Sequence, residues 1–149
     1  MPRVMIVEDD LTILSNLSQI LQLSGLDVIE AHDGDVAWTI LQSRLATGAA
    51  LPKLIVSDLM MPKMDGFELL AAVRDHAELE SIPFVLLSAR SDASDLHQAF
   101  TLGASEYLVK PFEVDQLMDV IRHFLSKTTQ PPDEVPGYNN KANTDFFLE

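Results

Sequence analysis

The stretch LIVSDLMMPKMDG, residues 54–66, drives an apolar run straight into Asp58. A carboxylate in that position is costly unless something pairs with it. Candidate partners stand at the ends of other short apolar runs. Glu8, Asp9 and Asp10 follow RVMIV (3–7), Ser88 follows PFVLL (83–87), and Lys110 closes EYLVK (106–110) ahead of Pro111. If these run ends converge, several carboxylates crowd together with one hydroxyl and one ammonium. Two carboxylates about 5 Å apart at an effective dielectric near 20 repel by roughly 3 kcal/mol. A hard dication relieves that cost, and an all-oxygen donor set without His or Cys points to Mg²⁺ rather than Zn²⁺. Because Mg²⁺ takes only one or two carboxylates and completes its shell with water and phosphate oxygens, the pattern implies a phosphoryl partner. Lys110 would supply a positive charge and Ser88 a hydroxyl donor to phosphoryl oxygens. Asp58 would be the nucleophile, because carboxylates form acyl phosphates.

That chemistry requires elements that bring the run ends together. The runs 3–7, 27–31 (DVIEA), 53–57 (KLIVS), 83–87 and 106–110 read as strands, and three of them are almost continuously apolar, as strands covered on both faces are. Helical spacing lies between them: Leu14, Leu17 and Leu21; Phe67, Leu70 and Val73 or Arg74; Leu96, Ala99, Phe100 and Gly103; Val114, Leu117, Ile121 and Phe124. Asp33-Gly34, Asp65-Gly66 and Ser91-Asp92 mark helix starts, and ATGAALP (46–52) is a loop. Strict β-α alternation predicts a parallel sheet with helices on both faces and right-handed crossovers. Ligands of such sheets bind beyond the carboxyl ends of the strands, where the residues above would sit.

The chain has 149 residues and 47 % hydrophobic content, enough for one domain with a sizeable core. A net charge of −13 disfavours direct binding to nucleic acid or to anionic membranes. The absence of cysteine excludes disulfide, thiolate and Cys-zinc chemistry. Glu8 comes too early for a signal peptide and no apolar run reaches spanning length, so a cytoplasmic location is expected. After Ser126 periodicity stops and three of the eight prolines appear. Residues 1–126 are expected to form the domain and 127–149 an extended tail or linker, ending in DFFLE.

MIVEDD, LIVSDLMMPKMDG, FVLLSA and EYLVKPF, in this order and spacing, resemble the four signature segments of bacterial two-component response-regulator receiver domains, over residues 1 to about 126. The resemblance implies a flavodoxin-like (βα)5 α/β fold with a doubly wound parallel five-stranded sheet in the order 2-1-3-4-5. It implies that Asp58 accepts a phosphoryl group from a sensor histidine kinase or phosphotransfer protein. Asp9 would ligate Mg²⁺ directly, Glu8 mainly through water, with Asp58 and the Met60 backbone carbonyl completing the protein ligands. Ser88 and Lys110 would bind the phosphoryl oxygens, and Tyr107 would be an aromatic switch following Ser88. The Lys110–Pro111 bond is commonly cis in the family. Met60 and Arg90 occupy positions that tune dephosphorylation; neither offers an acceptor or base for the attacking water, so a long-lived phosphoryl group is expected. Output would pass through the fourth helix, fifth strand and fifth helix, around Leu96, Phe100, Val114 and Leu117, to a downstream partner, an output domain or a symmetric dimer.

Blander readings stand beside these. Glu8, Asp9 and Asp10 could simply cap a helix, and Asp10 is expected to do so. Asp58 alone could be a turn residue and Lys110 a solvated strand end. Tyr107 and Trp38 could be packing residues, Met60 and Met61 gap-fillers, and His32, His76, His97 and His123 surface residues without ligand spacing. A haloacid-dehalogenase-type phosphatase would need a second carboxylate where Met60 stands, and a flavodoxin would not place VEDDL in its phosphate loop. A pseudo-receiver, a phosphorylation-independent interaction module, remains the alternative. The segment after Ser126 leaves open a stand-alone regulator, a receiver cut from a longer protein, or a docking tail.

Overall fold

A computed structural model of the chain describes residues 2–129. Five strands, β1 (Arg3–Val7), β2 (Asp27–Ala31), β3 (Leu54–Asp58), β4 (Phe84–Ser88) and β5 (Glu106–Val109), alternate with five helices, α1 (Leu11–Leu23), α2 (Gly34–Thr47), α3 (Gly66–Arg74), α4 (Ala93–Thr101) and α5 (Val114–Thr129). The strands form one parallel sheet in the order β2-β1-β3-β4-β5, as expected. Asp58 and Ser88 are the last residues of their strands, as expected, whereas Lys110, expected to end the fifth strand, lies one residue beyond β5. The helix expected to stop at 126 continues to Thr129, so the segment expected to be extended begins helically; residues 130–149, with DFFLE, lie outside the described residues.

The side-chain period of two divides the core into two layers. Met5, Val7, Ile55, Phe84, Leu86 and Tyr107 face one layer with residues of α2, α3 and α4. Val4, Ile6, Leu54, Val56, Val85, Leu87 and Leu108 face the other with residues of α1 and α5. Every residue of β3 and β4 is buried, whereas the edge strands β2 and β5 are not wholly so. This is why the central runs read as continuously apolar.

Helix starts follow the acids that the sequence marks. Asp10 accepts from Thr12 and Ile13 N–H, Asp33 from Val36 N–H, and Asp65 forms a capping box with Glu68. Asp92, at the start of α4, makes no side-chain cap bond. At the opposite end of the sheet, the Arg74 guanidinium donates to the carbonyls of Gly103, Glu80 and Ile82 at 2.9, 3.0 and 2.7 Å. It thereby ties the end of α3 to the two loops that enter β4 and β5. Gly103, at φ 104°, lies against this side chain, where both its backbone and the lack of space favour glycine.

Gly66 is required by close approach. A Cβ built on it would lie 2.6 Å from the Asp58 carbonyl oxygen and 2.8 Å from Leu59 Cα, and its N–H donates to the Leu59 carbonyl at 2.9 Å. The first turn of α3 is thus pressed on the end of β3. Ser18 is the opposite case: its hydroxyl is buried on the α1 core face without a partner. Gly66→Ala is expected to lower stability by about 2–3 kcal/mol through a backbone clash. Ser18→Ala is expected to leave stability unchanged or raise it by up to about 1 kcal/mol. Urea unfolding midpoints measured side by side check both signs.

Candidate functional site at the carboxyl ends of the strands

Register explains why distant acids meet. Val7 pairs with Ser57 on the neighbouring strand, so Glu8 and Asp58 emerge at the same level one strand apart. Both continue the parity of the α1/α5 layer set by Ile6 and Val56. Ligand oxygens of Glu8, Asp9 and Asp58 all lie within 4.8 Å of one another. Glu8 is 2 % exposed and Asp58 6 %, while Asp9 is open to solvent. Lys110 arrives from beyond β5, its Nζ 2.9 Å from Asp58 Oδ1 and 3.6 Å from Glu8 Oε1. Its preceding chain is fixed by the Lys110 N–H donating to the Ser88 carbonyl at 2.8 Å, and the Lys110–Pro111 peptide is cis.

One ammonium cannot neutralise three carboxylates. Glu8 Oε2 accepts the Asp10 N–H at 3.1 Å, but Oε1 has no hydrogen-bond partner. Burial, with the Asp58 charge adding to it, pushes the Glu8 carboxyl up to about 7 against the opposing pull of the Asp10 N–H and Lys110. Burial alone would lower the Lys110 pKa; the hydrogen bond and charge of Asp58, reinforced by Glu8, outweigh it and raise the value. An orphaned buried carboxylate oxygen beside two more carboxylates, with only oxygen donors in the cluster, suits a hard dication.

Ser88 and Tyr107 belong to the other side of the rim. Ser88 continues the parity of Phe84 and Leu86, and Tyr107 packs in the α2–α4 layer, 6 % exposed. Ser88 Oγ accepts the Arg90 N–H at 3.0 Å, and the Tyr107 hydroxyl donates to the Arg90 carbonyl at 2.9 Å. The Tyr107 ring, expected to be an aromatic switch following Ser88, lies inside in this conformation.

Other expectations fare unevenly. Met61 is a core residue, but Met60 is 53 % exposed and fills no gap. Trp38 packs against the core. His32, His97 and His123 are exposed, whereas His76 is half-buried, its Nδ1 accepting the Glu78 N–H. Asp95 was not singled out from sequence; it is buried in the first turn of α4 and its Oδ1 lies 3.5 Å from Arg90 Nη1. An acid three residues into a helix looks like ordinary dipole complementation, so only the fold reveals its partner. Beside the acid cluster, a mainly apolar groove of about 500 Å³ runs between α1 and the segment after β5, lined by Ile13, Leu17, Leu87, Ala89, Pro111 and Phe112.

Residues 4–122 match the response regulator receiver domain family. The DNA-binding dual master transcriptional regulator RpaA of Synechocystis is 35 % identical over 132 residues, covering 89 % of this chain and 52 % of the relative. The transcriptional regulatory protein CpxR of Escherichia coli is 34 % identical over 128 residues, 86 % of this chain and 51 % of the relative. The chain thus spans about half the length of these curated relatives. Among solved structures, the chemotaxis protein CheY4 of Vibrio cholerae superposes with a TM-score of 0.75 at 31 % identity, over 83 % of this chain and 98 % of that one. The receiver domain of a signal transduction histidine kinase from Syntrophus aciditrophicus gives 0.77 at 27 % identity, over 93 % and 100 %. With the expected strand order and its acid cluster at the expected rim, the chain belongs to the response regulator receiver domain family.

Proposed function

We propose that the protein is a Mg²⁺-dependent phosphoryl acceptor in two-component signalling, with Asp58 as the acceptor. The observation that carries this reading is the Lys110 ammonium 2.9 Å from Asp58 Oδ1, beside a buried Glu8 oxygen that has no hydrogen-bond partner. An Asp58 oxygen attacks the phosphorus of a phosphohistidine on a sensor kinase or phosphotransfer protein. The O–P bond forms as the donor's N–P bond breaks, and the donor imidazole leaves with the electron pair of that bond. Lys110 exchanges its carboxylate partner for phosphoryl oxygens, and Ser88 turns its hydroxyl to donate to them. Glu8, Asp9, Asp58 and the Met60 carbonyl would hold the cation, which supplies charge neutralisation for the transferring group when bound.

The apolar groove supports a protein donor, since it adjoins the acceptor and continues onto the exposed Ile13 of α1. On the output side, Phe100, Val109 and Val114 are exposed on α4, β5 and α5, while Leu96 is half-buried and Leu117 is core. Those three exposed apolar residues make the surface we assign to a downstream partner or homodimer. Relatives of twice the length are named as transcriptional regulators; in our reading the acidic receiver makes no direct nucleic-acid or membrane contact and controls whatever output it meets. Among the described residues no helix is long and apolar enough to cross a membrane, and the reading places the protein in the cytoplasm.

Incubation with Mg²⁺ and acetyl phosphate is expected to add one phosphoryl group by intact mass, and none in Asp58→Asn. Wild type remaining unmodified while binding Mg²⁺ would favour the pseudo-receiver alternative. Replacing Met60 by Glu or Asn is expected to speed loss of the phosphoryl group several-fold, on the order of the effect of one positioned water contact; unchanged decay rules out that role. The metal should also be pH-dependent in a defined direction. Without metal, the Glu8 carboxyl keeps its proton up to about 7, against 4.5 for an ordinary glutamate. Below that pH a proton must leave for the cation to bind, so apparent Mg²⁺ affinity rises with pH and flattens above about 7. Titration calorimetry in buffers of different ionisation enthalpy reads the released proton, and Glu8→Gln should abolish the release below pH 7.

A further inference from the structure

Three interactions made by different parts of the molecule converge on residue 90. Its N–H donates to Ser88 Oγ at 3.0 Å, its carbonyl accepts the Tyr107 hydroxyl at 2.9 Å, and its guanidinium stands 3.5 Å from Asp95. The ion pair is lopsided: the Arg90 side chain is 50 % exposed and that of Asp95 13 %. A carboxylate so placed needs a counter-charge, and the packed helix anchors it, so Asp95 is the fixed partner and Arg90 the held one. Helix α4 is also the member of the first four helices whose N-cap side chain makes no hydrogen bond. Its first turn is joined to the preceding loop through Asp95 instead.

We infer that Asp95 is a positioning residue for the switch: by holding the Arg90 side chain, it fixes the Arg90 carbonyl where Tyr107 can reach it and keeps the Tyr107 ring inside. The inference rests on the acceptor reading only for its consequence at Asp58. Neutralising Asp95 loosens the loop, and the inward population of Tyr107 falls by the modest factor that a half-exposed ion pair supplies, about two- to fivefold. If only the inward arrangement accepts the phosphoryl group, the rate of labelling falls with the population of that arrangement.

The test labels the protein with 3-fluorotyrosine in a Tyr138→Phe background, which leaves Tyr107 as the sole tyrosine. Fluorine NMR then follows burial of the ring without phosphodonor. Asp95→Asn and Arg90→Ala are each expected to move the Tyr107 resonance toward its solvent-exposed position, Arg90→Lys to restore most of the wild-type signal, and the double variant to add nothing to either single one. High salt should act in the same direction on wild type and leave Asp95→Asn unaffected. Labelling of Asp58 by acetyl phosphate should slow about two- to fivefold in Asp95→Asn, with Mg²⁺ affinity unchanged. An unmoved Tyr107 resonance in both single variants overturns the proposal, as does an equal shift in Asp92→Asn, the neighbouring acid without a bond. If wild type accepts no phosphoryl group, the acceptor reading fails while the fluorine signal still decides the role of Asp95.

Discussion

Two carboxylates held side by side out of water, Glu8 and Asp58, set the terms for the rest of this molecule. Parallel pairing forces the ends of β1 and β3 to the same rim, and their shared parity aims both side chains into one layer. Their neutralising cation, Lys110, comes from beyond β5, and β4 lies between β3 and β5. Two strand spacings amount to about 9–10 Å, a gap suited to the long stem of Lys110. The chain beyond β4 must then stay low enough for that stem to cross, and the first residue there is Ala89. The absence of a side chain at Gly66 lets α3 start against the backbone of Asp58 itself. Asp58 is thereby flanked by the backbone of Gly66 and by the Lys110 ammonium.

What could be read in the sequence follows from which forces are local. Continuous apolar runs report strands covered on both faces, and β1 and β2 have the bounds expected, while β3 and β4 are offset by one residue. That offset carries meaning: Asp58 and Ser88 are backbone-paired members of the sheet, so their positions are as rigid as the core. Helix starts were legible because a capping aspartate acts on the residues two and three positions along. The acid cluster was legible because only a parallel sheet would collect those run ends. Residues whose partners are remote in sequence were not. Arg74 reads as the polar end of a stripe, yet it bonds three carbonyls, the furthest at Gly103. Asp95 reads as a helix-start acid, and Met60 and Met61 read alike as gap-fillers although the loop after β3 leaves Met60 exposed and Met61 in the core.

The rim also has two sides, which the run ends alone do not disclose. Glu8, Asp58 and Lys110 lie with the α1/α5 layer, while Ser88 and Tyr107 lie with the layer under α2, α3 and α4. Charge is therefore gathered on one side of the sheet and the Tyr107 ring on the other. Every residue of β4 is buried, and Val85, Leu86 and Leu87 are held in register by both β3 and β5. On the proposed reading, a change at Asp58 is passed on at the end of that strand, through Ser88 and the loop to α4.

Residue 90 is where that route narrows. Its backbone binds Ser88 in one direction and Tyr107 in the other, and its side chain reaches α4. A rigid connection there would make Tyr107 follow Ser88 without choice; a loose one would leave the two independent. A single half-exposed ion pair sits between these limits, since such pairs contribute on the order of 1 kcal/mol or less. That magnitude biases a two-state equilibrium without locking it, and a phosphoryl group bringing nearly two negative charges can override it. On the proposed reading, the strong, buried electrostatics at Glu8, Asp58 and Lys110 serve chemistry, and the weak, half-exposed pair at Arg90 and Asp95 leaves the outcome adjustable.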